Sequence, residues 1–522
     1  MLILSAIGML GAGFLLGVLP GAAGRAGKFL ARCLALAAVL ALAEESAFYL
    51  FGPLQDWLVK YQFSLIFLQA DPWSAAFLLF LGLTGTVVVL AAFAPGGGDL
   101  SPGLLNLFIL VAVLLVTAAN IVTFVAFWVL LLVAALFLTK QGGLSAAAAS
   151  RFLLLIRMGT VALVLAFYFL FREAGAMDFL SLAKAQAGGY NRYLVFAFAL
   201  AAFSLQADIL PVKEVRGGKV KAGGSLASAF KDLVLLGTAL YGLGRFVFQF
   251  ISCDHLVYGL LLTVLGLGGA LRCGYRALRS REAHRVLNEL HKSAGGLIFA
   301  MLGAGLFLLP LKGNAPTAIF FSGTLACLLT YGVGKLLLHL AWLKQQPKLG
   351  LLACLSLCGL PLTGGFTGWW LLFQSQATLT AVLLLPWPRL AAVLLALATG
   401  AVLALQVLSW FNFYRRGFMR LTADTEAKAA APQRLSKRDW PAAVLAEAFL
   451  LLTGLVPLFL VLPLQKVMSL GGKFVPLSDW FGLVWGGSGH YAVFSPVVLL
   501  VFALMALGVA KLIEALAKGG DW

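Results

Sequence analysis

Few ionisable side chains of this 522-residue chain lie inside apolar stretches, and several of them come in pairs. Lys335 and His339, in YGVGKLLLHLAW, stand one helical turn apart and share a face. Lys231 and Asp232 are neighbours in SLASAFKDLVLLG, about one turn into another apolar run. Lys213 and Glu214 follow Pro211, and Glu44 and Glu45 interrupt an apolar run nearer the N-terminus. A charge in apolar surroundings costs a few kcal/mol, so such a group is held near its ionisation threshold and a neighbour can tip it. The chemistry these pairs suit is the relay of a proton. Each also has a structural reading: a polar pair satisfied by neighbouring helices at 335 and 339, a self-neutralising pair at the membrane edge at 231 and 232, solvated loop charges at 213 and 214. His291 and Lys292 fall at the start of a later apolar run, where a loop is expected.

Other chemistry has no foothold. The histidines, at 255, 284, 291, 339 and 490, are too scattered for a metal or haem. The cysteines, at 33, 253, 273, 327, 354 and 358, form no CxxC pair, so buried thiols acting as small hydrophobes are expected. There is no G-x-G-x-x-G after a strand, no P-loop, no H-E-x-x-H and no serine elbow with partners. The expected metal content is none.

The elements that must position these groups are membrane helices. With 62% hydrophobic and 11% charged residues and a mean hydropathy of +0.99, the chain lacks the polar surface of a soluble globule. It reads as one integral, all-α polytopic domain. Spans are expected at about 1–19, 30–51, 72–94, 103–119, 120–139, 151–171, 192–211, 225–250, 256–272, 295–311, 316–343, 350–374, 380–411, 443–463 and 493–516, so about 14–16 in all. The first is expected to be a retained helix rather than a cleaved signal peptide, since it lacks a basic start. The net charge of +18 is concentrated near Arg272 to Lys292 and Arg415 to Arg438, which the positive-inside bias puts on the cytoplasmic face. Residues 412–442 read as a polar loop, 443–522 as C-terminal helices, and the stretch from Leu464 to Tyr491 as an interfacial loop. Two spans carry breaks: Pro211 in the seventh, and Pro361 before Gly364 and Gly365 in the twelfth. In lipid a broken helix survives only where protein or water satisfies the freed backbone, which is how ion-handling proteins build sites. The offset of five helices suggests two inverted repeats, helices 4–8 (103–250) and 9–13 (256–411).

At these residues the chain resembles a known family. The run from Gln206 through Pro211, Ser225, Ser228 and Tyr241 to Arg245 has the spacing of helices 7 and 8 in the antiporter-like membrane subunits of respiratory complex I, membrane-bound hydrogenases, formate hydrogenlyase and Mrp sodium/proton antiporters. NIVTFVAFWV matches through Asn120, Phe124 and Trp128. In the twelfth helix Gly359, Leu360, Pro361, Gly365, Phe366, Trp370, Leu372 and Gln374 agree, and GFTGWWLLFQ is nearest the hydrogenase branch. Ser293 is in register with the tenth helix, and Lys335 falls on a buried lysine of the eleventh. The resemblance covers about 70 to 500.

The resemblance implies proton movement along a buried charged axis, in a redox complex whose partner subunits carry iron-sulfur clusters or other redox centres, this chain binding no cofactor. It also implies other membrane subunits as partners, and a bacterial or archaeal cytoplasmic membrane. Nothing points to nucleic acid. Yet the four charged positions of the family read Val129, Gln206, Gly237 and Trp369 here, and none titrates. A subunit degenerate in its own proton path and partly structural is therefore expected. The alternatives are an active proton or sodium path rerouted through Lys335, His339, Lys231 and Asp232, with Lys213 and Glu214 near its mouth, and a free-standing secondary transporter.

Overall fold

The computed structural model describes residues 2–19, 21–51, 59–63, 66–94, 101–141, 146–185, 191–209, 226–251, 256–312, 314–382, 386–419, 437–455, 460 and 464. Among the described residues, each expected span from the first to the fourteenth overlaps α-helix, the seventh ending in helix at Gln206 and the fourteenth described as helix to Leu455. The fifteenth, the interfacial loop after Leu464, and the positions Pro211, Lys213 and Glu214 lie outside the described residues. Among the described residues, nine helices are long and apolar enough to cross a membrane.

Helices α1 (Leu2–Val18) and α2 (Gly21–Phe51) precede a short antiparallel hairpin, β1 (Val59–Phe63) and β2 (Ile66–Ala70), which the sequence pattern does not announce. The hairpin feeds α3 (Pro72–Ala92), whose start is well specified: Asp71 accepts a hydrogen bond from Ser74 N at 2.9 Å, and proline takes the first helical position. Next come α4 (Pro102–Thr117) and α5 (Ile121–Gln141), separated at Ala118–Asn120. Asn120 accepts from Thr123 N at 2.7 Å and caps α5. The freed backbone groups of the break are taken up from both sides, Ala119 N donating to Phe67 O (2.9 Å) and Ile121 N to Met177 O (3.0 Å). The chain continues through α6 (Ala146–Ala174), a short α7 (Phe179–Ala185), α8 (Asn191–Gln206) and α9 (Leu226–Arg245).

The second half comprises α10 (Leu256–Arg279), α11 (Ala283–Lys312), α12 (Asn314–Leu343), α13 (Pro347–Leu357), α14 (Gly364–Val382), α15 (Pro386–Tyr414) and α16 (Trp440–Leu455). The break expected at Pro361 is present, and it divides the twelfth span into α13 and α14. Gly359 (φ +70°) ends the first half in the left-handed region that glycine alone enters at no steric cost, and Leu362 (φ +72°) follows. Helices α9 and α15 both run on into a π-helical turn, Phe246–Phe250 and Arg415–Met419. Arg415 and Arg416 are thus helical, where loop was expected.

The centre of the bundle is α3, α9, α11 and α12. Every residue of α12 from 321 to 341 is buried, whereas only 28% of the most apolar stretch of α6 and of α15 is, so these two helices face outward. The expected loop from Arg272 to Lys292 is corrected: only Ser280–Glu282 is non-helical, because α11 begins at Ala283 and carries His291 and Lys292 into the bundle on its buried face.

Candidate functional site

Helix α9 brings Lys231 and Asp232 into the protein one turn after its start, and α12 brings Lys335 opposite them. The Asp232 carboxylate meets Lys231 Nζ at 3.0 Å through one oxygen and Lys335 Nζ at 3.5 Å through the other. Lys231 also donates to Thr139 Oγ1 on α5 at 3.5 Å. The two side chains neutralise each other, as one reading of the pair expected, but they are not turned outward: Lys231 is buried, and Asp232 faces a lysine 103 positions away in sequence. A lysine stem long enough to reach inward, with a carboxylate to reach for, overrides nearness to the helix end.

Along α12, Tyr331, Lys335 and His339 recur every four residues and form one polar stripe. His339 Nδ1 lies 2.9 Å from the Lys335 carbonyl oxygen, and His291 of α11 lies 3.0 Å from the Tyr331 hydroxyl with the rings stacked. Lys292, next in α11, pairs at 2.8 Å with Asp208, which sits just past the end of α8 in a left-handed conformation (φ 53°). His291, Lys292, Asp208 and Tyr331 were not picked out by sequence reasoning as site residues. One signal was available for the α11 pair: the apolar positions Val286, Leu287, Leu290 and Ala294 already carry helical spacing through 291 and 292.

Asp208, Lys231, Asp232 and His291 of this set border a cavity of about 180 Å³, lined also by Trp128 and Gln206. It has room for several waters and the polar walls that hold them. Its Trp128 indole Nε1 is buried and has no hydrogen-bond partner, so a water there would complete it.

The four positions where the resemblance expects charge are occupied otherwise. Gln206 donates its amide to Thr238 Oγ1 at 2.8 Å, across from α8 to α9. Gly237 is filled by a neighbour: a methyl group there would meet Phe80 Cε1 at 2.6 Å, and the same ring presses on Gly332 of α12. Trp369 lies over Gly359 at the helix break, beside a void of only about 10 Å³, room for one water at most. Val129 on α5 is partly buried.

A second buried charged site closes the other end of α9. Arg245 makes a forked pair with Asp71, donates to Ser74 Oγ (2.7 Å) and Tyr241 Oη (2.8 Å), and stacks on the Tyr241 ring. Tyr241 in turn donates to Val116 O at 2.5 Å. Asp71 is absent from the sequence reading, although an Asp–Pro start to an apolar run is a visible cap signal. Among the described residues no group of three or more His, Cys, Asp or Glu side chains suits a metal ion.

This broken-helix bundle with buried lysines matches the fold of antiporter-like subunits of membrane complexes. No family model matches the chain. It is 24% identical over 487 residues to hydrogenase-4 component B of Escherichia coli, covering 86% of this chain and 71% of that protein. It is 27% identical over 342 residues to formate hydrogenlyase subunit 3 of E. coli, covering 59% of this chain and 54% of that protein. The chain thus spans about half the length of the second. Among solved structures, a chain of the membrane-bound sulfane sulfur reductase, an archaeal respiratory membrane complex, superposes with a TM-score of 0.73 at 15% identity over 99% of this chain and 85% of that one. A chain of respiratory complex I from Thermus thermophilus gives 0.63 at 20% identity, over 90% and 99%. The Mrp complex from Dietzia sp. DQ12-45-1b gives 0.68 at 17% identity, over 99% and 56%. The resemblance drawn from the residues therefore stands: the chain is a homologue of hydrogenase-4 component B and formate hydrogenlyase subunit 3, with the fold shared by these respiratory and antiporter subunits.

Proposed function

We propose that the chain works as a membrane subunit of a redox-driven, ion-translocating complex related to complex I or to membrane-bound hydrogenases, in a bacterial or archaeal cytoplasmic membrane. It holds no cofactor of its own; iron-sulfur clusters or other redox centres belong to its partner subunits. Within it, the family's midline route is shut and a shorter polar path carries protons from the cavity through Lys231 and Asp232 to Lys335 and His339. The observation that carries this reading is one carboxylate, Asp232, held between two buried lysines from different helices. Two ammonium groups against one carboxylate leave a surplus charge, at a cost of several kcal/mol in such surroundings. Loss of one proton brings the trio to neutrality, and the adjacent cavity gives that proton somewhere to go.

A second reading is favoured by a different observation. Phe80 wedged between Gly237 and Gly332, and Trp369 over Gly359, seal the positions where the family's relay would run, which suits a subunit that scaffolds its neighbours. Asp232→Asn and Lys335→Met, introduced into the intact complex and reconstituted in vesicles, separate the two. Loss of redox-driven proton or sodium uptake with the complex still assembled supports the path; unchanged uptake leaves the scaffold.

A further inference from the structure

The polar cavity has an apolar counterpart on the other side of the α8 terminus. Between Ile209 and the outer face of α10 runs a groove of about 170 Å³ whose α10 lining extends from Leu262 to Arg272, with Gly268 and Gly269 as its floor and Phe299 behind. Val257, Leu261, Leu265, Gly268, Arg272, Arg276 and Arg279 recur at intervals of three or four and form one face of α10. Its first half is apolar and outward-facing, Val257, Leu261 and Leu265 being 48%, 47% and 42% exposed. Its second half is arginine. From Leu261 to Arg272 the helix rises about 16 Å, close to the hydrocarbon depth of one leaflet, about half of ~30 Å. At the basic end Tyr275 is half exposed with the Arg279 guanidinium 4.8 Å over its ring, the arrangement of an interfacial aromatic. Arg281, Arg285 and Arg416 add charge around it, and Arg416 is tied to this corner by donating to Ser280 O at 2.8 Å. Among the described residues the nearby carboxylates are Glu289, 4.0 Å from Arg276, Glu282, 2.9 Å from Arg285, and Asp208, paired with Lys292, so six arginines at this corner leave a positive surplus.

We infer that this face binds an anionic phospholipid, one acyl chain lying in the groove over Gly268 and Gly269 and the headgroup phosphate on Arg272 and Arg276. Neither half alone selects such a ligand. The groove would take any apolar chain and the arginines any anion, but a leaflet's depth of apolar floor ending in guanidinium groups fits a molecule with both parts. The groove wall at Ile209 adjoins Asp208, so the lipid bears on the C-terminal end of α8 whose other side lines the polar cavity.

The test is the unfolding temperature of the delipidated full-length chain in detergent, titrated with dioctanoyl phosphatidylglycerol, dioctanoyl phosphatidylcholine, inorganic phosphate or a glutamate-rich peptide. Phosphatidylglycerol is expected to stabilise saturably and the other three not to at the same concentrations. Removing both charges in Arg272→Gln/Arg276→Gln should weaken it about thirtyfold, about fivefold per arginine. Gly268→Trp should weaken it about tenfold with the arginines intact, the loss of roughly two buried methylenes. A Cβ at Gly268 meets nothing within 4 Å, so this variant is expected to fold, and the lipid-free melt of each variant checks that. Equal stabilisation by phosphatidylcholine or phosphate overturns the inference, as does equal stabilisation by the peptide, which would point to an acidic protein. Unchanged phosphatidylglycerol affinity in the folded variants overturns it too.

Discussion

Helix α9 carries a buried ionic site at each end, and the two are built on opposite plans. At its C-terminal end one arginine meets one carboxylate in a forked geometry, and Ser74, Tyr241 and the Val116 carbonyl complete the network. At its N-terminal end two lysines share one carboxylate at 3.0 and 3.5 Å beside a cavity of about 180 Å³. The first site is balanced in charge, saturated in hydrogen bonds and rigid, the conditions under which a buried pair holds a fold together. The second has surplus charge, looser contacts and space, the conditions under which a proton can be exchanged. On the proposed reading, basic and acidic side chains serve structure at one end and transfer at the other according to whether their partners leave anything over.

The largest effect should come from breaking the closed site. Arg245→Ala or Asp71→Ala leaves an uncompensated buried charge and should cost about 3–5 kcal/mol, read by denaturant unfolding in detergent. Arg245→Lys should not restore it, because an ammonium cannot reproduce the fork. A stable Arg245→Ala chain would dissolve the contrast.

Next in size is the plug between the two sites. Gly237→Ala forces its methyl group against the Phe80 ring and should destabilise by about 1–3 kcal/mol. Phe80→Leu in the same chain should recover much of that, giving a coupling energy that independent sites would not show. Smaller in stability, yet decisive for function, is Asp232→Asn. A lysine beside a cavity with room for several waters can shed its proton, so unfolding should shift little, while ion uptake by the assembled complex falls about tenfold, a barrier change of about 1.4 kcal/mol. A stability loss matching that of Asp71→Ala would place Asp232 in the structural class instead. The smallest effect is expected at His339→Gln, which keeps a polar group beside the Lys335 carbonyl. Uptake should fall only a few-fold, less than 1 kcal/mol of barrier, with the melt unchanged.

Much of this was legible in the sequence. Apolar run lengths placed the spans, the glycines around Pro361 marked the break that separates α13 from α14, and the four-residue spacing put Lys335 and His339 on one face. Those signals are local, set by helix period and backbone chemistry. What escaped is contact across helices: Asp232 with Lys335, 103 positions apart, and Arg245 with Asp71, 174 apart. A hydrophobic pattern says that a face is buried without naming what lies against it. For the same reason Gly237 read as a lost charge, and the ring of Phe80 that occupies its place had no counterpart in the motif. The start of α11 was set twelve residues late because Arg285, Asn288 and Lys292 look like a loop until the polar groups they face are known.

The complete enclosure of the apolar part of α12 has a consequence for how the chain is made. A segment bearing Lys335 and His339, with no lipid-facing side of its own, gains little by entering the bilayer alone. It must be handed to helices already inserted, α3, α9 and α11, and then sealed by α14 and α16, both synthesised after it. A nascent polypeptide that terminates before Trp440 would therefore expose the α12 flank that α16 covers, and such truncated products should be ready prey for membrane proteases.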